Sequence, residues 1–401
     1  MKKNYDIAII GAGLTGLTAA LAMSSLNYKI ALVDPKPFSS YKKIFLDDRT
    51  TAISVGSVEF YKKIGVWLNL KQYACPIKKI LVEETSSKIK SSFESNFAGS
   101  SPMGYMIENK NMIKTLIELV RKSNNIIKYD YRLLDLSRYP DRVIINLEQK
   151  IIISAKLIIG ADGKNSYMRK LSNIDFDYKD YKQKAFTFNV KHEKMHNNLA
   201  IEKFLEEGPL AMLPIIGNKK KYCSSVVWSC NYPEYFRYLG TKKKNIEDLI
   251  QNYFKNIYGK INIISKVNTW DLSLSHAKTY ISHRLVLVGD SAHSIHPLAG
   301  QGFNLTIRGI KKLYGYAKLE RNFSKDLGKK RYLLNYSKKH FLDASTLIFF
   351  TDKLNYLFSN SNFFLKGFRK TGLHLFSKSK LVNQVFKSYA TRGSLFSSKD
   401  R

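Results

Sequence analysis

The hydrophobic pattern of the chain opens with a short apolar run and then changes to a helical pattern. Residues 5–10 are mostly apolar and β-branched and are followed directly by glycine, which is typical of a buried parallel strand. Residues 17–23 then favour a helix, and residues 29–33 favour a second buried strand that ends in Asp34. This order predicts a strand–helix–strand unit at the N-terminus.

Two later apolar strands also end in glycine and aspartate. Residues 156–159 run into Gly-Ala-Asp-Gly at 160–163, and residues 284–288 run into Gly289 and Asp290. Ligands of open α/β sheets bind at the carboxyl ends of the strands, so we expect both aspartates at that edge. A Pro-x-x-Gly-Gln-Gly stretch at 297–302 then opens another helix and presents backbone amides at its N-terminus.

The remaining pattern predicts a second layer and a helical tail. Residues 77–82, 186–190 and 225–229 are β-rich and favour an antiparallel sheet, and apolar residues recur at helical spacing over 347–358. We therefore expect an α/β fold with a Rossmann-like cofactor domain, an antiparallel substrate sheet and a helical C-terminal region. The expected boundaries are 1–70, 101–180 and 276–330 for the first, 71–100 and 181–275 for the second, and 331–401 for the third.

Composition narrows the choice of partners. The 401 residues are 44% hydrophobic and carry a net charge of +34, which would attract nucleic acid or anionic lipid. The lysines are scattered without a nucleic-acid-binding motif, so we expect no nucleic-acid partner. Cys75, Cys223 and Cys230 form no CxxC pair, and a reduced cytoplasmic protein without a metal site is expected.

The N-terminal glycines form a GxGxxG motif that predicts a dinucleotide site. Gly11 permits a tight turn, Gly13 lets the backbone approach a pyrophosphate, and Gly16 allows close packing of helix and strand. Asp34 lies about 20 residues further on, where a carboxylate can accept hydrogen bonds from ribose hydroxyls. The motif alone does not separate NAD from FAD.

The order of the three motifs resembles that of the para-hydroxybenzoate hydroxylase class of FAD-dependent aromatic monooxygenases. Within this class the chain resembles the ubiquinone-biosynthesis hydroxylase family. The segments that carry the resemblance are 47–54, 104–109, 208–214 and 289–305.

The resemblance implies a set of FAD-binding residues and a place for the substrate. Residues 208–214 would form part of the substrate wall, and Asn109 corresponds only loosely to a polar cofactor contact. The implied cofactor-binding residues are Gly11, Ala12, Gly13, Leu14, Thr15, Gly16, Asp34, Arg49, Asn109, Asp162, Gly163, Gly289, Asp290, Gly300, Gly302, Phe303 and Asn304. The candidate catalytic residues are Pro297, His296 and Gln301, although structural hydrogen bonding explains a histidine in this loop equally well.

The implied reaction hydroxylates the ring of a polyprenylated phenol or quinone precursor. NAD(P)H would act as a transient electron donor, and O2 would react through a flavin hydroperoxide. Two alternatives stay open at this point: another FAD-dependent oxidoreductase, such as a prenyl reductase, halogenase or dehydrogenase, and a non-catalytic scaffold subunit of a quinone-biosynthesis complex.

The composition of the C-terminal tail favours one further contact, with a membrane surface. Residues 353–387 contain seven Lys or Arg and no Asp or Glu, interleaved with aromatic residues. Such a composition suits a helix that lies on an anionic membrane surface, and we expect peripheral binding to the inner face of the cytoplasmic membrane. The resemblance implies other quinone-biosynthesis proteins as further partners. Packing of the same aromatic stripe on the cofactor domain is the alternative.

Overall fold

The fold is an α/β architecture built on three sheets, with helices on the outer faces. Elements are numbered in chain order as β1–β20 and α1–α9. The computed structural model describes residues 3–39, 48–85, 89–94, 102–217, 222–296, 300–322 and 326–359.

The first sheet has a parallel core and an antiparallel edge. Its central order is β18-β19-β11-β1-β2-β8, and β10 and β9 extend β11 antiparallel. The apolar run predicted at the N-terminus is the central strand, parallel to both neighbours. The eight described strands are β1 (Lys3–Ile10), β2 (Ile30–Val33), β8 (Ile126–Tyr129), β9 (Leu133–Arg138), β10 (Val143–Leu147), β11 (Ile151–Gly160), β18 (Ile281–Ser282) and β19 (Leu285–Leu287).

The second and third sheets lie beyond this core. The second has the order β20-β17-β12-β15-β14-β13-β5-β6, with β16 paired to β12. Its nine described strands are β5 (Lys79–Glu84), β6 (Ile89–Glu94), β12 (Phe176–His192), β13 (Leu199–Leu205), β14 (Gly208–Ile215), β15 (Cys223–Asn231), β16 (Ile261–Ile263), β17 (Asn268–Ala277) and β20 (His293–Ser294). The third contains β3 (Thr50–Ser54), β4 (Cys75–Ile77) and β7 (Gly104–Glu108).

Nine helices occur within the described ranges. The longest, α8 and α9, pack against each other and close the outer face of the first sheet. The helices are α1 (Leu14–Ser24), α2 (Val55–Lys63), α3 (Trp67–Leu70), α4 (Asn109–Lys122), α5 (Tyr167–Leu171), α6 (Tyr232–Tyr238), α7 (Lys243–Tyr258), α8 (Gln301–Asn322) and α9 (Lys330–Ser359).

Three hydrophobic clusters hold the layers together. The largest joins the first sheet to α1, α2, α4, α8 and α9. A second fills the space between the nine-stranded sheet and α7, around Phe186, Phe188 and Trp228. The third joins the inner face of that sheet to the three-stranded sheet through Cys75, Met106 and other residues. Each face of the nine-stranded sheet therefore has its own covering layer.

The β-rich segment at 77–82 divides between two sheets. Ile77 ends β4 of the three-stranded sheet, and β5 then begins at Lys79 in the nine-stranded sheet. Most neighbours in the nine-stranded sheet run antiparallel as expected, but β5 pairs with β13 in parallel. The tail pattern over 347–358 lies in α9, whereas residues 360–401 lie outside the described residues.

Candidate functional site

The three glycine motifs meet at one edge of the first sheet. A Cβ atom built on Gly11, which has a φ of +102°, would lie 2.4 Å from the carbonyl oxygen of Ala161. A Cβ atom on Gly289 would lie 2.8 Å from the side chain of Thr15 and 3.2 Å from that of Thr306. The first motif is thus in van der Waals contact with both of the others, and no larger residue fits at these contacts.

Hydrogen bonds fix the strand ends in this arrangement. The backbone N–H of Ala12 donates to Asp34 Oδ2 at 2.8 Å, which joins the glycine turn to the end of β2. Ser291 Oγ donates to the carbonyl oxygen of Gly160 at 2.7 Å, which joins the third motif to the end of β11. These side chains fix the carboxyl ends of four neighbouring strands, β19, β11, β1 and β2, where an α/β sheet binds its ligand.

The first turn of α1 is open to an anion. Gly13 is the N-cap and is exposed, and α1 has neither a side-chain cap nor an acidic residue in its first turn. A Cβ atom on Gly13 would meet no atom within 4 Å. Unpaired N–H groups and the positive end of the helix dipole point into this space, so the residues present fit the pyrophosphate of a dinucleotide.

Asp290 follows β19 at the edge of the first sheet, in the crevice outside the strand ends where the glycine motifs meet. Its side chain is exposed, yet the surrounding protein raises the pKa of this carboxyl by desolvation, while Arg49 and Lys164 lower the pKa. The Arg49 guanidinium is 4.1 Å from the centroid of the Trp270 ring, which belongs to the nine-stranded sheet. An accessible carboxylate in such a place suits the hydroxyl groups of a ribose or ribitol chain.

Asn109 and Asp162 also make contacts within the protein. Asn109 Oδ1 accepts a hydrogen bond of 2.6 Å from Thr51 Oγ1, which anchors the strand that follows Arg49. Asp162 Oδ2 accepts from the backbone N–H of Met168 at 2.9 Å, at the start of α5. Gly163 next to it has a φ of +85°, and a Cβ atom there would face open space.

Asn304 fixes the start of α8 against the three-stranded sheet. Its Oδ1 accepts from the backbone N–H of Ser54 at 2.8 Å, and its Nδ2 donates to the carbonyl oxygen of Ala52 at 2.8 Å. Gly300 has a φ of +61°, and its built Cβ would lie 3.1 Å from the Cβ of Ala52. Gly302 and Phe303 in the first turn of α8 are partly exposed.

His296 and Gln301 each have a buried acceptor without a partner. His296 Nε2 donates to Gln183 Oε1 at 3.0 Å, so its Nδ1 is an acceptor, and burial lowers the pKa of the ring to about 4. Neither His296 Nδ1 nor Gln301 Oε1 is hydrogen-bonded within the described part of the chain. Buried acceptors of this kind indicate a ligand or water partner. Pro297 lies outside the described residues.

Gln183, which binds His296, and Asn355, which binds Gln183, belong to no sequence motif. Gln183 follows a bulge in β12, where Lys182 has a φ of 55° and the register with β17 shifts. Bulges re-aim the side chains beside them. Asn355, near the end of α9, donates from Nδ2 to Gln183 Oε1 at 3.3 Å. Neither residue has a sequence signal, because the bulge and the return of α9 are tertiary features.

A family described as an FAD binding domain matches residues 4–340 of the chain. The chain belongs to this family. It is therefore an FAD-binding flavoprotein, and the motifs described above lie within the matched region.

Relatives of known name match over nearly the full chain. The ubiquinone hydroxylase UbiL of Rhodospirillum rubrum is 29% identical over 97% of this chain and 90% of its own length. The 3-demethoxyubiquinol 3-hydroxylase of Escherichia coli is 27% identical over 96% of this chain and 98% of its own length.

A solved structure shares the fold. The p-nitrophenol 4-monooxygenase PnpA of Pseudomonas putida superimposes with a TM-score of 0.77 over 98% of this chain and 99% of its own, at 13% identity. The expected α/β architecture with an apposed β-sheet is thereby confirmed.

Proposed function

We propose that this protein hydroxylates the aromatic ring of a polyprenylated phenol in ubiquinone biosynthesis, with NAD(P)H as electron donor and O2 as oxidant. The observation that carries this proposal is the full-length similarity to two hydroxylases named for ubiquinone chemistry. FAD, when bound, supplies the transfer of electrons from NAD(P)H to dioxygen and the activation of that oxygen.

The cofactor is held by the three converged motifs. The N–H groups of α1 around Gly13 bind the pyrophosphate, and Asp34 accepts from ribose hydroxyls beside the amide that it already holds. Asp290 accepts from the hydroxyl groups that pass through the crevice, and the side chain of Arg49 lies beside it. The start of α8 at Gly302 would hold the ring system of the flavin. Open space at Gly13 and the accessible carboxyl of Asp290 support these assignments.

The chain's own contribution to the chemistry is to enclose and orient the ring. The nine-stranded sheet covers the crevice, and exclusion of water there strengthens every polar contact with the substrate. His296 has a lowered pKa and therefore stays neutral, so its Nδ1 is available as an acceptor. Gln183 holds the other ring nitrogen and fixes the tautomer.

Complementation tests this proposal in the cell. The gene is placed in bacterial strains that each lack one ring-hydroxylation step of ubiquinone biosynthesis, and the quinones are identified by mass spectrometry. We expect ubiquinone to return in at least one strain. Failure in every strain, with yellow protein present in the lysates, would remove the hydroxylase assignment and leave another FAD-dependent reaction.

The division into a cofactor domain and a sheet domain with the boundaries given above remains a prediction. The separate hydrophobic clusters on the two faces of the nine-stranded sheet support it. Limited proteolysis tests these boundaries. Cleavage mainly at sites away from positions 70, 100, 180 and 276 would count against them.

Contact with an anionic membrane surface is the second part of the proposal. Within the described ranges no helix is long and apolar enough to cross a bilayer. The outer face of α9 nevertheless exposes Leu342 (68%), Phe349 (58%) and Tyr356 (59%), next to the basic segment that follows. Exposed aromatic side chains beside lysines suit the interface of an anionic bilayer.

Truncation after Ser359 tests this contact and leaves the bond between Asn355 and Gln183 in place. We expect less co-sedimentation with vesicles of phosphatidylglycerol and phosphatidylethanolamine, and an unchanged FAD content. Equal sedimentation of the truncated and full-length proteins would refute a role for residues 360–401 in membrane binding.

A further inference from the structure

One carboxyl group on the nine-stranded sheet has no role in the account so far. Glu202 lies in β13, where side chains alternate between the two faces of the sheet. Ile201 and Leu205 point into the hydrophobic cluster beneath α7, and Lys203 between them pairs with Glu83 at 2.6 Å. The side chain of Glu202 therefore points to the opposite face, which is the face that covers the cofactor crevice.

A row of directly paired residues links Glu202 to that crevice. Glu202 is opposite Ala211, Ala211 is opposite Val227, and Val227 is opposite Thr187. Directly opposite residues share a face, and neighbouring strands lie about 4.8 Å apart, so the row is about 14 Å long. At its end, Thr187 Oγ1 accepts a 2.9 Å hydrogen bond from the Trp270 indole N–H.

Trp270 connects this row to the cofactor side. Its ring lies under the Arg49 guanidinium, and the charge of Arg49 acts on Asp290 in the crevice. At the other end, Ala200 precedes Glu202 on the same face and packs in the cluster that includes Ala52 beside Gly300. The face that carries Glu202 thus borders the crevice at both ends.

The middle of the row is accessible although it lies within a covered sheet. Glu202, Ala211, Leu213 and Val227 are each only partly buried, while Ile201, Met212 and Val226 on the other face are fully buried. Ala211 and Val227 have small side chains, so the row itself places no bulky group between Glu202 and Thr187. An aromatic ring lying over this row would have the carboxyl group of Glu202 at one side.

The Glu202 carboxyl has no partner of its own in the described part of the chain. Desolvation is the sole cause of its shifted pKa, which rises to about 7, and no hydrogen bond or charge contributes. A partly buried carboxylate without a partner is unfavourable for folding, and such groups cluster at functional sites.

We propose that Glu202 is the group that accepts the proton of the substrate's ring hydroxyl. This inference rests on the proposed function, because it requires a phenolic substrate. In the step, the O–H bond of the hydroxyl breaks and a new O–H bond forms on a carboxylate oxygen of Glu202. The electron pair stays on the ring oxygen and enriches the ring for hydroxylation; nothing is oxidised or reduced in this step.

The test compares the holoenzyme with its Glu202→Gln, Glu202→Asp and Glu83→Gln variants, with 2-farnesylphenol as the probe. Hydroxylated product, NAD(P)H consumption and hydrogen peroxide are measured from pH 5.5 to 9. For the parent protein we expect product per NAD(P)H consumed to rise through about pH 7. Glu202→Gln should lower product formation about 100-fold and release hydrogen peroxide instead. Glu202→Asp should retain the rise with pH.

Glu83→Gln is the matched control. It makes the same chemical change on the neighbouring strand but on the opposite face, where the carboxylate pairs with Lys203. It should lower thermal stability and leave the pH profile unchanged. The melting temperature measures independently how much the charged carboxyl of Glu202 destabilises the fold. Glu202→Gln should raise the melting temperature at pH 8.5 and leave the melting temperature unchanged at pH 4.5.

Three results would overturn the inference. Parent-like coupling and an unchanged pH profile in Glu202→Gln would show that the carboxyl does not take the proton. The same loss of product formation in Glu83→Gln would show that the effect arises from lower protein stability. Failure of the yellow parent protein to hydroxylate 2-farnesylphenol and every other polyprenylated precursor would remove the proposed function and this inference with it, which is a separate outcome.

Discussion

Asn304 at the start of α8 and Ser54 at the end of β3 are joined by a 2.8 Å hydrogen bond from the serine backbone N–H to the asparagine Oδ1. The same oxygen accepts from Ser57 Oγ at 2.9 Å, and the amide nitrogen donates to Ala52 and Gly300. One buried side chain therefore sets the distance between the loop at Gly300 and the strand that follows Arg49.

Replacement of Asn304 should loosen both elements. Asn304→Ala leaves several buried groups without partners, and we expect a loss of about 3 kcal/mol in the free energy of unfolding. FAD affinity should fall as well, because Gly300 is no longer held. Urea unfolding and FAD fluorescence titration measure the two effects. Asn146→Ala, which removes a surface contact to Asp135, serves as the control. Unchanged stability in Asn304→Ala would contradict the assigned role.

Two glycines of the first motif should respond in opposite ways to the same substitution. A Cβ atom on Gly16 would lie 1.8 Å from the carbonyl oxygen of Gly11, whereas one on Gly13 meets nothing within 4 Å. Gly16→Ala should therefore destabilise the fold by about 3 kcal/mol or more. Gly13→Ala should have the same melting temperature as the parent. Its affinity for FAD should fall at least about tenfold, because the methyl group would occupy the space of the pyrophosphate. Parent-like FAD binding by Gly13→Ala would place the phosphates elsewhere.

Asp290→Ala should separate cofactor binding from stability. Since desolvation by the surrounding protein raises the pKa of this carboxyl, its charge does not stabilise the apoprotein, and the variant should fold at least as well as the parent. Loss of its hydrogen bonds to the cofactor should weaken FAD binding by about 2–5 kcal/mol. Equilibrium dialysis compares FAD binding by the parent, by Asp290→Ala and by Asp141→Ala, which is the control at an exposed site. Equal FAD retention in all three would refute the role of Asp290.

A buried histidine pair predicts that the protein loses stability in acid. His293 Nε2 and His340 Nε2 are 3.0 Å apart, and burial lowers the pKa of His293 to about 3 and that of His340 well below its ordinary value of 6.5. His276, Arg308 and Lys312 around the pair add to these shifts, whereas Asp343 opposes the shift of His293 by raising its pKa.

The sign of the effect follows from proton uptake. Below pH 6.5 the unfolded chain protonates both rings while the native protein does not, so stability falls as the pH falls from that value. Each imidazole ring lowers the free energy of unfolding by up to about 1.4 kcal/mol for each pH unit below 6.5. Urea unfolding between pH 7.5 and 4.5 should show this slope, and His340→Gln should reduce it by about one ring's share. An identical slope in the variant would contradict the neutral pair.

The sequence predicts the meeting of the glycine motifs, but it does not predict contacts that depend on the tertiary structure. The strand ends at Gly11, Asp34 and Asp290 could be placed because strand ends and glycine turns are local features with a fixed spacing. Glu202 could not be singled out, because in the alternating segment of β13 a glutamate is typical of a solvent-facing position, and only the tertiary structure desolvates it. Gln183 and Asn355 depend on a bulge and on the return of α9 across the sheet, which no local pattern encodes.

Oxygen-isotope labelling tests ring hydroxylation by the FAD-loaded protein most directly. Lipid extracts from strains that are each blocked at one ring hydroxylation contain the corresponding polyprenylated precursor. The purified yellow protein is incubated with each extract, NAD(P)H and 18O2, and the quinone precursors are analysed by mass spectrometry. The account predicts that one precursor gains a single 18O atom on its ring. Consumption of NAD(P)H with every precursor left unlabelled would contradict it.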